Sequence, residues 1–208
     1  MVTRLAQMAA KKHGAETQAI ISYADARPGA WSQLQVLAAS SGVEVYRATN
    51  PETLAVLLDE LKPRLGIWID TPGNARYEID SKLIQAHADL QWHALAPLDA
   101  SVTSLRRLQT QSEVWSSIMI TKADEGASVW HWLQALSETP LKVSLMADSD
   151  QVKKPAVALN PEAWCELALA DLKCVAHPAA AKPLPKTRPQ VKHKPVASKR
   201  TDPKAVNG

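Results

Sequence analysis

The chain has 208 residues, with 24 Lys and Arg against 21 Asp and Glu, a formal net charge of +3. That figure hides a split: His177–Gly208 holds eight basic residues and one acid, a formal +7, while residues 1–176 hold 16 basic and 20 acidic residues, a formal −4. An acidic body with a basic tail excludes a uniformly basic nucleic-acid binder.

Other absences narrow the field. Seven glycines are about 3% of the chain, against a usual ~7%. No two are spaced for G-x-G-x-x-G or G-x-x-x-x-G-K-[ST], so no glycine-rich phosphate loop is present. Cys165 and Cys174 make neither a C-x-x-C nor a zinc spacing, which suits a reducing compartment. No apolar run is long enough to span a membrane. Gln7, Lys11 and Lys12 interrupt any signal-peptide-like stretch, so the expected location is the cytoplasm.

In chain order, residues 2–12 read as a helix stopped by His13-Gly14. Ala19–Tyr23 is a short apolar strand. Residues 29–41 space Trp31, Leu34, Leu37 and Ala38 at helical intervals, and Val43–Tyr46 is the next strand. Asn50-Pro51 predicts a helix start, with Asn as cap and Pro in the first turn, and the helix runs to about Lys62. Leu65–Asp70 is a strong strand. A helix is expected near residues 78–88, a strand near Trp92–Ala96 and a helix over Ser101–Gln111. Ser117–Ile120 and Lys142–Met146 read as strands, Ala127–Leu136 and Pro161–Leu172 as helices.

Regular strand–helix alternation predicts an α/β fold: a mostly parallel sheet with helices on both faces. The strands read as apolar runs without alternation, as doubly buried strands should. The predicted organisation is one domain over 1–175 and a disordered tail over 176–208, which carries six of the 14 prolines. Ligands in such folds bind beyond the carboxyl ends of the strands, which directs attention to the residues just after each one.

Two strand ends carry chemistry. Asp70-Thr71-Pro72-Gly73 follows LGIWID. A carboxylate at the end of a buried strand can hold Mg²⁺ through water, and the Gly amide can approach a terminal phosphate. The same four residues are also ordinary turn chemistry. Thr121-Lys122-Ala123-Asp124 follows SSIMI and fits guanine recognition, with the carboxylate accepting from the base edge and the Lys stem covering the ring. The bland alternative is a polar loop in which Asp124 caps the next helix. Both patterns at strand ends, in the right order, favour the nucleotide reading. The tryptophans read as core fillers, with Trp68 and Trp130 at buried-looking positions, and His131 as a surface or half-buried helix residue.

These residues resemble the SRP-family GTPases, and within them the flagellar FlhF type. The family sequence runs from a helix through a strand into D-T-Y-R-I-G-A-x-E-Q-L; RLAQMAAKKHGAETQAIISYADARPGAWSQL follows that course without a gap. Gly42-Val43-Glu44-Val45 matches the family's G-V-x-V, Ile69–Asn74 its I-D-T-A-G-R, and Thr121–Gly126 its T-K-x-D-E-A. The resemblance implies a P-loop NTPase-like fold over about 1–172. It assigns guanine contacts to Thr121, Lys122 and Asp124, a weak Mg²⁺ contact to Asp70, and catalytic remnants to Arg27, Gln33, Asp70 and Gly73. The departures are as informative. The matched register begins past the phosphate loop and its strand, which leaves a gap between parallel neighbours and predicts marginal solubility of the body alone. Ala24 replaces the family Asp, with Asp25 one step on; Ser32 replaces the Glu of E-Q-L; Asn74 replaces the Arg after the switch Gly.

The resemblance therefore implies a degenerate relative with little or no GTP hydrolysis as given. GTP or GDP with Mg²⁺ would bind weakly, and the departures argue against a nucleotide-dependent dimer. The expected role is regulation or scaffolding in flagellar biosynthesis or placement, with protein partners at the flagellar basal body or cell pole and peripheral contact with the inner face of the cell membrane. Nucleic acid is not the expected partner. Two alternatives stand beside this: an active GTPase whose phosphate loop lies upstream of the start, and an interaction module whose tail binds anionic membrane or nucleic acid.

Overall fold

The structure is a computed structural model, and it describes residues 1–72, 89–110, 113–125, 128–138 and 142–176. All of these fall in the unit Met1–Ala176. The tail expected over 176–208 lies beyond them except for Ala176, and the helix expected near 78–88 lies wholly outside them.

The amino-terminal half begins with helix α1 (Val2–His13). Gly14 ends it at φ 96, a left-handed value that favours glycine, and its N–H donates to the Ala10 carbonyl at 2.8 Å. Strand β1 (Gln18–Tyr23) follows, then α2 (Ala30–Ala39), β2 (Glu44–Ala48), α3 (Pro51–Glu60) and β3 (Gly66–Asp70). The expected start of α3 is as read: Asn50 Oδ1 accepts from the Thr53 N–H at 2.8 Å, with Pro51 in the first turn. The carboxyl-terminal half contains β4 (His93–Pro97), α4 (Val102–Gln109), β5 (Ser117–Thr121), α5 (Trp130–Ser137), β6 (Val143–Met146), β7 (Val157–Ala158) and α6 (Pro161–Ala176).

The strands form two sheets, ordered β2-β1-β3 and β4-β5-β6-β7. All pairs are parallel except β6–β7, an antiparallel edge that period-based reading misses because β7 has only two residues. Among the described residues no ladder joins β3 to β4, so the sheet is divided there. Two contacts cross the division. Trp92, just before β4, packs against the cluster built on β1. Arg4 of α1 reaches the Ser149 and Gln151 carbonyls beyond β6, at 2.5 and 2.9 Å.

β1 is buried along its whole length. Ala19, Ile21 and Tyr23 face Leu54 and Leu61 on one side; Ile20 faces Ala6, Leu34, Ala38 and Val43 on the other. Full burial of each isoleucine contributes about 1.5–3 kcal/mol. The second core gathers Ala94, Ala96, Ile118, Ile120, Trp132, Trp164 and Ala168. Trp132 is fully buried, and its Nε1–H donates to the Leu98 carbonyl at 2.8 Å.

Three expectations need correction. Trp130 is exposed, at 47%, because it opens α5 on the outer side, while Trp132, two residues on and so about 200° round the helix, takes the core position. Trp68 is half-buried, with its Nε1–H donating to Gln18 Oε1 at 3.0 Å. Not every strand is doubly buried: β4 alternates, with Ala94 and Ala96 inward and His93 and Leu95 outward, and β3 is half-buried throughout.

Candidate functional site

The carboxyl ends of β1, β2 and β3 bring Ala24, Asp25, Arg27, Arg47 and Asp70 into one neighbourhood. The parallel register pairs Ser22 with both Arg47 and Asp70, which sets these ends side by side. Ala24 turns the chain at φ 53, an uncommon value for a non-glycine residue, and its N–H donates to the Ala48 carbonyl at 2.8 Å. The turn sends Asp25 inward, where its side chain is 3% exposed.

Asp25 is held by Arg27. The guanidinium engages both oxygens, Nε to Oδ1 at 2.9 Å and Nη2 to Oδ2 at 2.5 Å, and the Arg27 backbone N–H donates to Oδ1 at 3.1 Å. The pair is a bidentate fork closed over an Asx turn. Its hydrogen bond to Arg27 holds the Asp25 carboxyl below the usual carboxylate range, and the same bond raises the Arg27 guanidinium. Asp70 behaves oppositely: burial pushes its carboxyl up, against the pull of the Met1 ammonium, and the nearby Asp25 charge adds to the rise.

The other strand end is built differently. Thr121 closes β5, and Lys122 turns the chain at φ 58 into a short 3₁₀ turn, Ala123–Glu125. Lys122 Nζ pairs with Glu125 Oε1 at 2.9 Å, and both side chains are about half exposed, at 56% and 51%. That contact raises the Lys122 ammonium. Asp124 is exposed. It does not cap α5, whose cap position is Val129; the Val129 N–H instead donates to Asp171 Oδ2 of α6 at 2.9 Å. The Asp124 carboxylate is thus open to solvent, as a guanine contact requires.

The remaining expected site residues fall apart. Gln33 sits exposed in α2, its backbone N–H bound to the Gly29 carbonyl at 2.9 Å. Gly73 lies outside the described residues. No group of three or more His, Cys, Asp or Glu among the described residues could hold a metal ion. Asp70, at the end of β3, is the one carboxylate expected to contact Mg²⁺, and only its ionised form could do so. The end expected to meet guanine presents Lys122 and Asp124; the end expected to meet phosphate presents Arg27 only with Asp25 already on it. A cavity of about 540 Å³, lined by Leu58, Lys62, Arg64 and Ile67 among others, lies at the opposite, amino end of β3, away from these groups.

The fold has counterparts among solved structures. A crystal structure of FlhF complexed with GMPPNP and Mg²⁺ superposes with a TM-score of 0.67 at 18% identity, over 80% of this chain and 68% of that one. The fold is that of an SRP-family GTPase domain. FlhF complexed with GTP and Mg²⁺ matches equally, with a TM-score of 0.67 at 18% identity, over 80% of this chain and 67% of that chain. Chloroplast FtsY from Physcomitrella patens gives 0.62 at 14% identity, over 80% of this chain and 59% of its own. FtsY from Mycoplasma mycoides gives 0.62 at 18%, over 82% of this chain and 63% of its own. The chain therefore spans less than two thirds of the FtsY structures. No protein-family model matches the sequence, and no curated protein does. The β1 and β3 ends and the β5 end are the two places where the sequence led to an expectation of nucleotide chemistry.

Residue-by-residue reading missed what Asp25 does. The motif comparison sets Asp25 one step past the position that Ala24 fills and gives it no role. The signal was present: an Asp after a strand, with a donor two residues on, is Asx-turn chemistry, and Arg at that second position adds the fork. Arg47 was also missed, since its place beside Asp25 depends on the β1–β2 register.

Proposed function

We propose that the chain is a degenerate FlhF-like protein that regulates or scaffolds flagellar biosynthesis or placement, with weak or no GTP hydrolysis. The observation that carries this reading is an FlhF-like fold in which the arginine at the β1 end is already claimed by the chain's own carboxylate. Ala24 in place of a family carboxylate supports it. Loss of one charge-stabilising group typically costs about 10²–10³ in rate, and several positions depart together. GTP or GDP, with Mg²⁺ weakly held at Asp70, would bind chiefly through its base, on Thr121, Lys122 and Asp124. The partners would be proteins of the flagellar basal body or cell pole, met in the cytoplasm or at the inner face of the membrane. No helix among the described residues is long and apolar enough to cross a membrane. Release of phosphate from GTP and Mg²⁺ by the full chain tests turnover; none above buffer is expected. Deletion in the source organism tests the role, and unchanged flagellar number, placement and motility would sink it.

A second reading is an active FlhF-type GTPase whose phosphate loop is encoded upstream of Met1. It draws on the fact that the chain spans 68% of the FlhF structure. In-frame DNA coding for G-x-x-x-x-G-K-T before Met1 would support it, and a stop codon there would end it.

A further inference from the structure

We propose that Asp25 is a built-in occupant of the anion position at the end of β1: its carboxylate fills the Arg27 fork that a ligand phosphate would otherwise take. The inference rests on reading this strand end as a remnant nucleotide site. A guanidinium presents the same paired N–H groups to a carboxylate and to a phosphate, so the two ligands compete for one geometry. Here the fork is already satisfied, with Nε and Nη2 at 2.9 and 2.5 Å from the two Asp25 oxygens.

The surroundings make Asp25 hard to displace. Its side chain is 3% exposed, whereas that of Arg27 is 66% exposed. A phosphate approaching Arg27 from solvent would have to strip it from Asp25 and leave a buried carboxylate without its cation, which is strongly unfavourable. The backbone reinforces the arrangement: the Ala24 turn is tied to Ala48, and the Arg27 N–H is tied to Asp25 Oδ1 at 3.1 Å. The other charges at this end are Arg47 from β2, Asp70 from β3 and the Met1 amine beside Asp70. Two arginines and two carboxylates balance at the strand end, and burial disfavours the charged form of the Met1 amine, so little positive charge remains to draw a polyphosphate. A ligand's base could still meet the β5 end while its phosphates find this end closed.

The test uses the full chain and inorganic pyrophosphate, titrated calorimetrically at low ionic strength. Asp25→Ser keeps an oxygen for the Arg27 N–H and frees the guanidinium. It should bind pyrophosphate on the order of tenfold more tightly than the parent chain, the worth of one charged hydrogen-bonding group. Adding Arg27→Gln to that variant should return the affinity to the parent value. Equal affinity of the parent chain and Asp25→Ser, or a gain that survives Arg27→Gln, would overturn the proposal. If Asp25→Ser does not fold by circular dichroism, the parent chain still decides. Phenylglyoxal modification of Arg27, followed by peptide mass spectrometry, should proceed at the same rate with and without pyrophosphate; protection of Arg27 would overturn the proposal. Failure of the parent reading is a separate result, since it would show as phosphate release from GTP by the unmodified chain.

Discussion

The two candidate strand ends carry the same device, a cation paired with a nearby carboxylate, but in opposite settings. At the β1 end the carboxylate of Asp25 is buried and the pair fixes a turn. At the β5 end Lys122 and Glu125 are both about half in solvent, and Asp124 beside them is exposed. An exposed pair contributes little and yields readily to a ligand. A pair whose carboxylate is buried does not, because breaking it strands that charge. Exposure, more than the difference between 2.5 and 2.9 Å, separates a closed end from an open one.

The largest expected effect concerns the two halves that carry these ends. Trp132→Ala removes the fully buried indole at the centre of the second core and its bond to Leu98. A loss of about 3–5 kcal/mol is expected, read by chemical denaturation. If Arg4 and Trp92 couple the two sheets, hydrogen exchange in β1 should accelerate together with that in β5. Unchanged protection of β1 would show that the halves unfold separately.

The next effects concern the two carboxylates at the β1 and β3 ends, and their signs differ. The Asp25 carboxyl is held low, so its contribution is present above the unfolded-state pKa and is lost as pH falls through the folded value. Asp25→Asn should therefore be less stable than the parent at neutral pH, by about 1–3 kcal/mol for a buried charged hydrogen bond, with the difference closing in acid. The Asp70 carboxyl is pushed up, so stability is full below its unfolded-state value and falls as pH rises through the folded one. Asp70→Asn should be more stable than the parent at neutral pH and equal to it in acid. Melting temperatures of both variants across the acid range check the pair; shifts of the same sign would contradict the contrast.

The smallest effects belong to the open end. Glu125→Gln breaks only an exposed ion pair and should change stability by less than about 0.5 kcal/mol. Asp124→Ala should be equally silent in a melt, since its side chain caps nothing in the structure. It should nonetheless abolish whatever affinity the chain has for guanosine. Guanosine binding that survives Asp124→Ala would remove the guanine assignment from this loop.

Most of the fold was legible in the sequence because its signals are local. Asn50-Pro51 announces α3, Gly14 ends α1, and the apolar runs at 19–23 and 117–120 mark the two buried strands. What was not legible depended on other parts of the chain. Trp130 and Trp132 are equally apolar, and only the facing of α5 decides which one is buried. The amino end of α5 takes its bond from Asp171, 42 residues away, so no local pattern could supply it. The candidate site divides in the same way. Lys122 and Asp124 were found from a contiguous motif at a strand end. Asp25 and Arg47 took their meaning from a turn at an unusual φ and from strand register, and a motif comparison that scored Ala24 as a loss passed over the neighbour that fills the space.

The contrast between a closed phosphate end and an open base end is tested most directly by titrating the full chain with guanosine and with GTP, with Mg²⁺ present. Near-equal affinities are expected, because Asp25 already fills the Arg27 fork at the β1 end. Each charged contact to phosphate would add on the order of tenfold. GTP binding about a hundredfold or more tightly than guanosine would show that the phosphates are recognised and that Asp25 does not close the site.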